Sequence, residues 1–158
     1  MKMPPPARLA KTVSVLCVDP FEEDHVTLEA IFRSSPWSVC PDSSWKLQSS
    51  KSLTSAWRAL HTHQFPLVLC ECDLNPGTWR ELFNLLERLP DPPFLIVTSR
   101  TADEHLWAEA LNLGAYDVLA KPFDRTEVMR VVSMAWMHWT DRHSMAGEAN
   151  LAAAGGAV

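Results

Sequence analysis

Five short apolar runs alternate with five segments of helical periodicity along this chain, which predicts an α/β protein with a doubly wound, five-stranded parallel sheet. The strict strand-then-helix order requires crossover connections, and their right-handedness places helices on both faces of the sheet. Composition agrees: 47% hydrophobic and 21% charged residues in 158 suit one folded domain, neither disordered nor membrane-embedded.

The first strand is Val13 to Val18, rich in β-branched residues and ended by Asp19-Pro20. Leu28, Ile31 and Phe32 then recur at helical spacing. A weaker strand at Trp45 to Gln48 precedes a helix from Ser52 to His63, in which Leu53, Ala56, Trp57 and Leu60 share one face. Leu67 to Cys72 is the third strand. After the Pro76-Gly77 turn, Thr78 and Glu81 have capping-box spacing and open a helix with the stripe Leu82, Leu85, Leu86 and Leu89. Pro90 to Pro93 stops it, and Phe94 to Val97 is the fourth strand. Thr101 and Glu104 repeat the capping spacing, and Gly114 closes the fourth helix. Tyr116 to Ala120 is the fifth strand. Asp124 and Glu127 open a fifth helix reaching about Trp139, with Val128, Val131, Val132 and Ala135 inward. This sets a flexible segment at 1–11, a domain at 12–140 and an Ala/Gly-rich tail at 141–158 that is expected to be disordered.

A net charge of −5 without any helical Lys/Arg cluster argues against nucleic acid as a partner. Pro4-Pro5-Pro6 interrupts the N-terminus where a secretory signal needs an apolar run, and no segment reaches membrane-spanning length, so a cytoplasmic location is expected. Cys17, Cys40, Cys70 and Cys72 are then read as free thiols. No Cys-x-x-Cys pattern supports zinc, and His61 and His63 fall on different helix faces.

In doubly wound sheets the functional crevice lies beyond the carboxyl ends of the strands, here at Asp19, Glu71, Thr98 and Lys121. With Val97-Thr98-Ser99 after strand four, Gly114-Ala115 before strand five and Lys121-Pro122-Phe123 after it, the chain from Val13 to Trp139 resembles the response-regulator receiver family. The resemblance implies a flavodoxin-like (βα)5 fold with strand order 2-1-3-4-5. It also implies a phosphate-accepting aspartate at the end of strand three, paired acids after strand one, and phosphate contacts from Thr98, Lys121 and Pro122.

The acids depart from that pattern. Gap-free alignment puts Glu71 at the acceptor position, and the acidic pair becomes Asp19-Pro20. A rival registration makes Asp73 the acceptor, but it buries Glu71 in an apolar strand and needs a deletion before Gly77. Glutamate is one methylene longer than aspartate and proline offers no ligand, whereas Mg²⁺ demands near-octahedral oxygen geometry. The sequence therefore predicts a degenerate acidic pocket of Asp19, Pro20 and Asp73, no resident cofactor, and Mg²⁺ bound weakly if at all. The longer Glu71 is expected to pair with Lys121 directly, with Thr98 or Ser99 as a further donor.

The leading expectation is a stand-alone pseudo-receiver, not an enzyme, that signals by binding a protein: a histidine kinase or a downstream effector. No effector domain is expected after the fifth helix. The alternative is a competent receiver that accepts phosphate from a histidine kinase. A small-molecule binder lacks a Gly-rich phosphate loop. Among seven tryptophans, Trp107 and Trp136 lie off their helices' inward stripes and are, with Val118, interface candidates. The resemblance implies a helix 4–strand 5–helix 5 face for a partner or a second copy. Val118 stands where many receivers carry a switch aromatic, so that switch is not expected here.

Overall fold

The computed structural model describes residues 11–34 and 43–155. The order is β1 (Lys11–Val18), α1 (Glu22–Ser34), β2 (Ser43–Ser50), α2 (Leu53–Thr62), β3 (Leu67–Glu71), α3 (Trp79–Glu87), β4 (Phe94–Ser99), α4 (Glu104–Leu113), β5 (Asp117–Ala120) and α5 (Arg125–Gly155). All strand pairs are parallel, in the order β2-β1-β3-β4-β5. The predicted fold class and strand order are the observed ones.

The central strands are apolar on both sides because both faces are covered. Leu16, Val18, Val68, Cys70, Leu95 and Val97 face the layer of α2, α3 and α4. Val15, Cys17, Leu67, Leu69 and Ile96 alternate with them and meet α1 and α5. Cys70 and Cys72 thus share one face, with Cys17 on the other. Cys17, Cys70 and Cys72 are free thiols, and Cys40 lies outside the described residues.

Local signals set most helix ends. Ser52 accepts a hydrogen bond from the Ser55 amide, and Asp124 from the Glu127 amide. Gly114 ends α4 in the left-handed region at φ 116°, and a Cβ there would stand 2.9 Å from Phe83 Cζ.

Four expectations are corrected. The fourth helix is capped by Asp103, whose carboxylate accepts from the Leu106 amide, instead of by Thr101. Thr101 bonds its amide to the Ser99 hydroxyl and stays in the loop. Trp57, expected inward, is exposed, since the buried line of α2 is Ala56, Ala59 and Leu60. Val118 is no surface residue: β5 turns it into the α2–α3–α4 core, where it is 1% exposed. Finally, α5 continues to Gly155, so the Ala/Gly-rich stretch expected to be disordered is helical that far. The expected flexible segment at 1–11 lies, except for Lys11, outside the described residues.

Candidate functional site

The sheet ladder extends one step past several strand ends and holds the crevice residues in place. The Asp19 amide donates to Ser50 O, the Cys72 amide to Thr98 O, and the Lys121 amide to Ser99 O, each at 2.9 Å. Asp19 is fixed further: its Oδ1 accepts from the Phe21 amide at 2.8 Å, and His25 Nε2 donates to its carbonyl at 2.6 Å.

Three carboxylates converge on one ammonium. Lys121 Nζ lies 2.7 Å from Asp19 Oδ2 and 2.8 Å from Asp24 Oδ2, and donates a further hydrogen bond to Glu71 Oε2. Side-chain exposure is 2% for Lys121, 1% for Asp19, 8% for Glu71 and 11% for Asp24, so the cluster is screened from water. Burial disfavours the ammonium, but its hydrogen bonds to Asp19, Asp24 and Glu71 outweigh that and hold the Lys121 pKa above the usual lysine range. Burial pushes the Asp19 carboxyl up, and its bond to Lys121 offsets only part of this.

The expected Glu71–Lys121 pair is present; the expected hydroxyl donors to Glu71 are not. Instead Cys72 Sγ lies 3.5 Å from Glu71 Oε1 and 3.3 Å from Ser99 Oγ. Thr98 is buried beside Glu71 in the β3–β4 register. Asp73 is exposed, bridges to Thr78 and is not among the partners of Lys121, which removes the rival registration. Pro20 is half-buried and Pro122 exposed.

Asp24 is the functional residue that the sequence reading missed. It sits in the first turn of α1 with Glu22 and Glu23, where acids ordinarily just complement the helix dipole. Its side chain leans toward the helix N-terminus, as helical Cβ vectors do, and so reaches the cleft. Arg100 stands at the rim, 3.9 Å from Asp24 Oδ1 and over the exposed ring of Phe21.

This finding overturns the degenerate, phosphorylation-incompetent reading. Pro20 removes one acid, Asp24 returns one, and the cluster of Asp19, Asp24, Glu71 and Lys121 is intact. Its arrangement fits a phosphate-accepting site better than a silent one.

The donor set also suits a divalent ion in kind. Carboxylate oxygens are the ligands Mg²⁺ prefers, and three acidic side chains surround the one ammonium. The central position is taken by Nζ, and among the described residues no group of three or more His, Cys, Asp or Glu side chains is spaced to hold a metal.

The interface candidates part company. Trp107 is exposed on α4, near Leu111, on the face of the sheet that α2, α3 and α4 cover. Trp136 packs on the opposite face against the α1–α5 core. It also lines a cavity of about 490 Å³ at the amino ends of β1 and β3, remote from the acidic cleft, with Ser14, Pro66 and Trp139. The two tryptophans therefore do not build one surface. No helix among the described residues is long and apolar enough to cross a membrane.

Comparison with known proteins agrees with the geometry. The response regulator receiver domain family profile matches residues 23–133. No curated protein sequence matches the chain. Among solved structures, the receiver domain of an HD domain-containing protein from Pseudomonas fluorescens superposes with a TM-score of 0.70 at 22% identity, covering 83% of this chain and 99% of the other. A response regulator from Thermotoga maritima gives 0.67 at 18% identity, over 78% and 97% of the two chains. The receiver domain of a sensor histidine kinase from Pseudomonas aeruginosa, solved with a magnesium ion coordinated in its active-site cleft, gives 0.65 at 19% identity over 78% and 96%. At these identities the structural likeness establishes the fold, and the profile match over most of the folded chain establishes the family: the chain belongs to the response regulator receiver domain family.

Proposed function

We propose that this chain is a phosphorylation-competent receiver that takes a phosphoryl group from a histidine kinase onto Glu71. The observation that carries the reading is the convergence of Asp19, Asp24 and Glu71 on Lys121. Glu71 is the acceptor by position, as the last residue of β3, buried and held by the ladder to β4.

In the transfer a Glu71 carboxylate oxygen forms a bond to phosphorus while the phosphorus–nitrogen bond of the phosphohistidine breaks. The leaving imidazole keeps the electron pair. The product carries nearly two negative charges where the carboxylate carried one, so Lys121 gains a stronger partner. Phosphoryl transfer is mostly positioning and charge stabilisation, and Lys121 supplies a fixed positive charge for it. Asp19 and Asp24 keep the ammonium aimed at Glu71, and Thr98 is its register partner on β4. As placed, Asp19, Asp24 and Glu71 are drawn to Lys121, and its ammonium supplies the positive charge that meets the phosphoryl oxygens.

Incubation with a small phosphodonor and Mg²⁺ tests the reading. An added mass of one phosphoryl group, labile to hydroxylamine and absent in Glu71→Gln, is the expected result. An unlabelled wild-type chain would overturn it, and label that persists in Glu71→Gln would move the acceptor to Asp19 or Asp24.

The output is a protein contact. Exposed Trp107 and Leu111, one turn apart on α4, support that helix as part of the surface for a partner or a second copy. The free thiols Cys17, Cys70 and Cys72 support a reducing compartment, the cytoplasm.

A further inference from the structure

Beyond the acidic cluster, the two oxygens of Glu71 lead in different directions. Oε2 faces Lys121, whereas Oε1 lies 3.5 Å from Cys72 Sγ. The thiol lies 3.3 Å from Ser99 Oγ, which accepts the Thr101 amide at 3.1 Å and stands 3.3 Å from Thr101 Oγ1. Thr101 is two residues before Asp103, the cap of α4. A continuous polar line therefore runs from the β3 carboxylate to the segment that starts α4. Val118, buried and apolar, offers no polar side chain for such a connection on β5.

The chemistry of this line turns on one proton. Burial raises the Cys72 pKa and the neighbouring Glu71 charge adds to it, while the Ser99 contact opposes both, so the group stays a neutral thiol with a single S–H. That hydrogen goes to the better acceptor. An ionised carboxylate is better than a hydroxyl oxygen, because a charged acceptor makes the stronger bond. Once Glu71 is an acyl phosphate, the charge lies on the phosphoryl oxygens and Oε1 is left a neutral carbonyl oxygen, so the preference moves to Ser99, whose oxygen then accepts from the thiol as well as from the Thr101 amide.

We propose that Cys72 is a positioning residue that transmits the state of the Glu71 carboxylate to the β4–α4 loop through Ser99 and Thr101. The proposal rests on Glu71 being the group whose state changes. Its test uses the unphosphorylated full chain, so it stands apart from the labelling experiment: absent label overturns phosphorylation at Glu71 and leaves this result readable, and the reverse also holds.

Glu71→Gln mimics the neutral oxygen that would then face Cys72. The infrared S–H stretching band assigned to Cys72, by its absence in Cys72→Val, should move to higher frequency in Glu71→Gln as the thiol exchanges a charged acceptor for a neutral one. The Thr101 amide resonance should shift with it. In a Cys72→Val background Glu71→Gln should move the Thr101 resonance by less than half as much, and Cys72→Ser, which keeps a donor, should restore the response. An equal Thr101 shift with and without the thiol would overturn the proposal, as would an S–H band that does not move. Should Cys72→Val fail to fold, Ser99→Ala interrupts the same line one step later and must also reduce the Thr101 shift.

Discussion

Replacing Lys121 by Met tests the cluster most directly, since Met fills the space of the aliphatic stem and removes only the charge. The ammonium is 2% exposed and is the cation shared by Asp19, Asp24 and Glu71. Removing one partner of a buried ion pair costs about 3–5 kcal/mol, because the other charge is left without compensation. Here three carboxylates are left, so the upper half of that range applies at pH 8. With a urea m-value of about 2 kcal/mol/M, a loss of about 4 kcal/mol lowers the unfolding midpoint by about 2 M. The deficit must also depend on pH. Carboxylates deprived of their cation have raised pKa values in the folded state, so the folded chain binds more protons than the unfolded one and gains stability as pH falls. Each proton so taken up recovers up to about 1.4 kcal/mol per pH unit. Urea titrations at pH 8 and pH 5 should therefore show a large deficit that shrinks on acidification, at unchanged m. A loss below about 1 kcal/mol, the range of surface ion pairs, would refute the reasoning, and so would a deficit equal at both pH values.

The remaining predictions concern single groups. Asp24→Asn should slow labelling by a small phosphodonor about tenfold, the effect of losing one charge-assisted bond of about 1.5 kcal/mol; an unchanged rate would return Asp24 to a purely structural role. In wild-type protein, the stability from Lys121 is fully present below the ordinary lysine pKa of about 10.4 and is lost as pH rises through the higher folded value, so thermal unfolding above pH 10 should show a decline that Lys121→Met lacks. Gly114→Ala meets both a left-handed backbone and the Phe83 ring at 2.9 Å, and should cost about 1–3 kcal/mol in urea unfolding.

Much of the fold was legible because it rests on local periodicity. The run Leu67 to Cys70 is apolar at every position, which only a strand covered on both faces sustains, and Gly114 marks a helix end that needs positive φ. The errors lie where two local solutions compete. Thr101-x-x-Glu104 and Asp103 both offer caps within three residues, and the choice fell to Asp103 because the Thr101 amide is satisfied by Ser99, a residue of another element. Val118, an interface candidate by its place on the fifth strand, is buried because the layer that includes α4 packs over β5.

For the site, the sequence by itself determined the residues at the strand ends: Asp19, Glu71, Thr98 and Lys121 follow from where each apolar run stops. It also determined that Glu71, longer than aspartate, would reach Lys121. What the tertiary structure decided is the charge count. Asp24 is one of three consecutive acids in a helical first turn, and nothing in that run distinguishes it from Glu22 and Glu23. Successive helical residues point about 100° apart, so one of the three faces the cleft once α1 is docked beside β2 and α5, and the rotation of α1 is set by Leu28, Ile31 and Phe32 in the core. Whether Pro20 left the pocket short of an acid was therefore settled by helix packing, a property of contacts distant in sequence.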